Sequence, residues 1–116
     1  MNLQELYEKL EGDYAGTLSR LMKEERIAKY LGKFINDTVY SELMKNLEEN
    51  DFAEAFRNSH TLKGVALNLG ISRLAASSSE LCESLRNGPP TVDITGMKES
   101  VIADYEETMR VLKEYL

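Results

Sequence analysis

Apolar residues recur at steps of three and four along almost the whole chain, and no segment alternates apolar and polar positions between turn signals as a half-buried strand would. The pattern predicts a short helix through "LQELYEKL", broken by Gly12 and Asp13, and a second through "YAGTLSRLM" with Asp13 as its cap. A longer helical stretch follows from about Glu24 to Glu49, with Ile27, Leu31, Phe34, Leu43 and Leu47 toward the core. Its apolar phase drifts at Asn36 to Thr38, where a kink or break fits. Asp51 then caps a helix with Glu54 three residues on, in the manner of a capping box. Phe52, Ala55, Ser59, Leu62, Ala66 and Leu69 form its buried stripe, and Gly70 is placed to end it. Ile71, Leu74, Ala75, Ser78, Leu81, Cys82 and Leu85 give another stripe, stopped by "NGPP". A last helix begins near Asp93 and carries Ile94, Met97, Val101, Tyr105, Thr108, Leu112 and Tyr115 along one side. The expected fold is all-α: an antiparallel four-helix bundle over about 24–116, with short N-terminal helices over about 3–22 packed across one end.

At 116 residues the chain is long enough for one core and one domain. Its net charge of −6 argues against nucleic acid and anionic membranes, whose phosphates need a basic surface. The partner class that remains is protein. No apolar run approaches the roughly 20 residues of a membrane span, and "MNLQELYEKLEGD" has no signal-peptide pattern. The lone Cys82 has no cysteine to pair with. A cytoplasmic monomer is the expectation.

The candidate chemistry gathers in "NSHTLKGVALNLG", Asn58 to Gly70, which holds the only histidine. On a helical wheel His60 points about 140° from the middle of the buried stripe, so it is not a core histidine. Arg57, Lys63, Gly64 and Leu67 share its side, with Asn68 further round. Gly64 is the unusual neighbour. A mid-helix glycine costs about 0.5–1 kcal/mol against alanine, and packing inside the bundle does not require one on an outward face. Bare backbone beside an imidazole instead suits the close approach of another molecule. Lys63 brings a flexible cation that can pair with a phosphoryl oxygen. A nucleophile, a cation and cleared space fit phosphoryl transfer, where positioning and charge stabilisation do most of the catalysis.

"SHTLKGVALNLG" closely resembles the signature of the histidine-containing phosphotransfer (HPt) family: a His followed by x-Leu-Lys-Gly, a small residue and a later Gly. Here these are His60, Leu62, Lys63, Gly64, Ala66 and Gly70. A looser resemblance extends from about Asp13 to the C-terminus. It implies a phosphorelay intermediate, in which a receiver domain's phospho-aspartate donates to the histidine and a further receiver takes the group on. Carried over, His60 is the phospho-acceptor, Lys63 stabilises the phosphoryl group, and Gly64 clears space for the receiver. Arg57, Leu67 and Asn68 would flank the docking face. Arg86 matches a basic residue that some members carry late in the next helix. Cys82 falls where others place a polar side chain that hydrogen-bonds the histidine, so that bond is expected to be missing. The implied partners are receiver domains and a hybrid sensor kinase. No cofactor is implied, since Mg²⁺ would sit in the receiver's acidic pocket.

Rival chemistries lack their residues. Arg57 stands where a Glu-x-x-His motif would need its carboxylate, and one histidine among scattered acids is a poor metal site. No P-loop or kinase Gly-rich loop is present, which predicts a phosphocarrier and not an enzyme in the usual sense. Two alternatives stay open. One is a helical adaptor or inhibitor that binds a receiver or kinase without carrying phosphate. The other is the phospho-acceptor domain of a chemotaxis-type kinase, although Met1 and the end at Leu116 favour a free-standing module.

Overall fold

The computed structural model describes residues 1–116. It has seven helices and no strand: α1 Leu3–Leu10, α2 Tyr14–Leu21, α3 Glu24–Ile35, α4 Val39–Glu48, α5 Phe52–Asn68, α6 Ser72–Ser84 and α7 Thr95–Tyr115. Local chemistry sets most boundaries. Asn2 accepts from the Glu5 amide at 2.8 Å to start α1, and Asp13 accepts from the Gly16 amide at 2.9 Å to start α2. The drift at Asn36 to Thr38 is a complete break. Asp37 Oδ1 takes the Val39 amide at 2.7 Å, offering the backbone a partner other than the helical ladder. The expected long helix is therefore two, α3 and α4.

The capping box at α5 forms only by half. Asp51 does accept from the Glu54 amide, at 3.3 Å. The return bond has no donor left, because the Asp51 amide already donates to Asn46 O at 2.8 Å. The Glu54 carboxylate pairs with Arg57 instead.

α5 lies at the centre, packed against α4 and α6, and α6 continues onto α7. Phe56 and Cys82, which meet across α5 and α6, are nearly equidistant along the chain from Gly70, so the chain doubles back there. α1 packs on α7, α2 on α3, and α3 touches α7. The predicted stripes meet in one cluster that includes Ile27, Leu31, Leu43, Leu62, Leu74, Leu81, Val101 and Leu112. Each such side chain gains about 1.5–3 kcal/mol from burial. Phe52, Ile94, Met97, Tyr105 and Tyr115 are only half-buried and pack on its margin.

The N-terminal segment fastens one end of this bundle. Gly70, at φ +69°, closes α5 in a Schellman turn: Ile71 N–H donates to Ala66 O at 2.9 Å and Gly70 N–H to Leu67 O at 3.2 Å. The last carbonyls of α5 then find donors on α1 and α2. Tyr7 Oη donates to Leu69 O at 2.5 Å, and the Asp13 amide donates to Gly70 O at 2.9 Å. Arg20 Nη2 reaches Leu67 O at 2.9 Å and Asn68 O at 3.2 Å. Orphan carbonyls at a helix end need such partners wherever water is excluded. Ion pairs Arg73–Glu11 at 2.6 Å and Lys9–Glu114 at 3.2 Å rim the same end.

Candidate functional site

α5 has two contrasting sides. Ala55, Ser59, Leu62 and Ala66 are buried, whereas His60, Thr61, Gly64, Leu67 and Asn68 are exposed. The spacing alone sets this division, since steps of three and four return to one side of a helix. Its hydroxyls are absorbed locally: Ser59 Oγ donates to Phe56 O at 2.9 Å, and Thr61 Oγ1 donates to Arg57 O at 3.0 Å.

The His60 imidazole is exposed and takes part in no hydrogen bond with the protein, which leaves its ring nitrogens to solvent or a visiting group. Its one ring contact is Phe56, a turn earlier on α5, with centroids 6.2 Å apart and planes inclined by 25°. Around Gly64 the surface is open: a Cβ built there meets nothing within 4 Å. Lys63 is half-buried and pairs with no carboxylate at salt-bridge distance. It lines a groove between α5 and α6 with Leu67, Ser72, Ala75, Ala76 and Ser79. A flexible ammonium, an unencumbered imidazole and cleared backbone thus stand together on one helix face.

Of the remaining predicted residues, Leu67 and Asn68 lie at the exposed end of that face, their carbonyls held by Arg20. Arg57 is exposed and engaged with Glu54. Arg86, just beyond α6, is ion-paired with Glu83 at 2.6 Å, and its guanidinium carbon stands 5.4 Å from the Phe56 ring centroid. The hydrogen bond from Arg86 holds the Glu83 carboxyl below the usual carboxylate range, and the charge of Lys63 acts in the same direction. Cys82 is fully buried, with Sγ 4.0 Å from Phe56 O. It therefore serves the α5–α6 packing and does not orient the histidine.

Residue by residue, the family resemblance puts His60, Lys63 and Gly64 on a single open face. Comparison with protein-family models agrees: the Hpt domain model matches residues 30–114, most of the chain. The chain belongs to the Hpt domain family. Neither a curated protein nor a solved structure matches it significantly. Hpt domains are helical bundles that act in histidine phosphotransfer within two-component signalling, as phosphocarrier modules that interact with receiver domains. His60, Lys63, Gly64 and Arg86 all fall inside the matched region, while α1, α2 and the start of α3 precede it. No helix of this Hpt domain is long and apolar enough to cross a membrane.

Sequence reasoning passed over Phe56, Glu83 and Arg20. Phe56 left a signal, because an aromatic residue four positions before an exposed histidine shares its helix face. Glu83 left one too, since it stands three residues before Arg86, the spacing of a helical ion pair. Arg20 left none, because its partners Leu67 and Asn68 depend on how separate helices meet.

Proposed function

We propose that this Hpt domain carries a phosphoryl group on His60 between receiver domains of a multistep phosphorelay, with a hybrid sensor kinase upstream. The lone pair of the solvent-facing imidazole nitrogen attacks phosphorus. A nitrogen–phosphorus bond forms as the oxygen–phosphorus bond of the donor phospho-aspartate breaks, and the electron pair leaves on that aspartate's carboxylate. Onward transfer reverses these roles with a second receiver. Lys63 pairs with the phosphoryl oxygens, the open surface at Gly64 admits the receiver backbone, and Leu67 and Asn68 border the docking area. The protein acts as a cytoplasmic monomer, and Mg²⁺ belongs to the receiver's acidic pocket.

The observation that carries this reading is the sole histidine standing exposed beside open backbone and an unpaired lysine. An inhibitor or adaptor would have no use for an unencumbered nucleophile, and that separates the two readings. A pre-phosphorylated receiver is mixed with wild type or His60→Gln, and intact mass is recorded. The expected outcome is an acid-labile, alkali-stable phosphoryl adduct on wild type alone, with the helical circular dichroism of His60→Gln unchanged. Receiver binding without an adduct from any of several receivers establishes the adaptor instead.

A further inference from the structure

We infer that Phe56 is a positioning residue for phosphoryl transfer: its ring is the common surface against which the His60 imidazole and the Arg86 guanidinium are both held. The inference rests on the carrier reading of His60.

The geometry begins on α5. Phe56 and His60 are four residues apart, the spacing that brings side chains one above the other on a helix. Their rings lie nearly parallel at 6.2 Å, within the 4.5–7 Å range of attractive aromatic pairs. The two differ in anchorage. Phe56 is half-buried and packed against the core, whereas His60 is exposed. The Phe56 backbone is fixed as well, its carbonyl accepting from Ser59 and lying against the buried Cys82 thiol. An exposed imidazole therefore rests on a ring anchored at the margin of the core.

Arg86 approaches the same ring from the end of α6, at 5.4 Å, inside the limit of about 6 Å for a cation–π contact. One edge of its guanidinium is already engaged, with Nε and Nη2 bonded to the Glu83 carboxylate at 3.2 and 2.6 Å, and the Nη1 donors remain free. An exposed arginine–glutamate pair alone orders a side chain weakly. Packing the guanidinium on Phe56 adds a second constraint on its orientation. No other residue's ring makes both contacts, so Phe56 couples the nucleophile on α5 to a cation on α6. Ordering a flexible side chain at an interface costs about 0.5–1.5 kcal/mol. Doing so beforehand is worth about a three- to tenfold gain in transfer rate.

The test is a double-mutant cycle in single-turnover transfer from a phosphorylated receiver, using Phe56→Leu, Arg86→Gln and both together, with Phe56→Tyr as the rescue. Phe56→Leu is expected to slow transfer about three- to tenfold at saturating receiver, leaving half-saturation within about twofold of wild type. Phe56→Tyr should restore the rate, and the double variant should be no slower than the slower single, because coupled residues are not additive. Wild-type rates for Phe56→Leu or Arg86→Gln, or losses that multiply, overturn the inference. His60 is the only histidine, so its imidazole resonances can be followed without phosphate. Their ring-current displacement should vanish in Phe56→Leu and persist in Phe56→Tyr, and unchanged shifts in Phe56→Leu refute the stack. A wild type that accepts no phosphoryl group refutes the carrier reading, while the resonances still decide whether the ring contact exists.

Discussion

Gly64 and Gly70 stand six residues apart in the same stretch of chain and are glycines for opposite reasons. At Gly70 there is no room and no conformational choice. Its φ is +69°, and a Cβ would run into Thr17 Oγ1 and come within 2.7 Å of Asp13 O. Gly12 presses from the other side, where an added Cβ would lie 2.5 Å from Gly70 O. At Gly64 the backbone is ordinary helix and the space beyond it is empty. One glycine lets the protein fold against itself; the other leaves a surface the protein does not use internally. Only Gly64, inside α5, carries the helix-propensity cost. Gly70 lies beyond the helix in the left-handed conformation that favours glycine, so backbone conformation and surroundings together separate the structural glycine from the functional one.

The largest effect should come from the crowded glycine. Gly70→Ala adds a left-handed-backbone penalty of about 1–2 kcal/mol and a packing clash of about 1–3 kcal/mol. Urea unfolding should show a loss of about 2–5 kcal/mol, while the protein that remains folded transfers phosphate normally. A loss below about 1 kcal/mol would mean that the N-terminal segment yields easily and the contrast between the two glycines is overstated.

Gly64→Phe should do the reverse. Phenylalanine is a better helix former than glycine, so stability should hold or rise by up to about 0.5 kcal/mol. Transfer should fall by about two orders of magnitude, since a displacement of about 1 Å in reacting groups has that consequence. Stopped-flow transfer kinetics measure it directly, and a wild-type rate would rule out close approach at this face.

A smaller effect at neutral pH probes the fastening beneath Gly70. Tyr7→Phe loses the hydrogen bond to Leu69 O, for about 1 kcal/mol. Burial pushes the Tyr7 phenol up to about 12 from its ordinary value of 10.0, so the folded state favours the neutral form. That contribution is complete below about pH 10 and is lost as pH rises toward 12, amounting to about 2–3 kcal/mol. Tyr14, Tyr40 and Tyr105 are raised too, so the difference between wild type and Tyr7→Phe isolates the Tyr7 share. Chemical unfolding across this range should find the variant less stable at pH 7 and more stable near pH 12. Parallel curves would show that the phenol is not confined.

The sequence by itself determined the helices, the core stripes and the face on which His60 stands. These follow from 3.6-residue periodicity and from caps that act within four residues. It also determined that Gly64 points outward beside Lys63, because a helix face is settled by spacing alone. Legibility ended first at choices between competing local hydrogen bonds, and then where distant segments meet. At Asn36 to Thr38 the apolar drift was visible, but only Asp37 bonding to Val39 made it a break. The capping pattern at Asp51 was visible too, yet Asn46 already held the amide that the return bond needed. The tertiary structure alone decided that Tyr7, Asp13 and Arg20 would supply donors to the end of α5. It likewise decided that Arg86 would cross from α6 to the ring of Phe56. Such contacts join residues dozens of positions apart, and their geometry is fixed by how whole helices pack, a quantity no local spacing encodes.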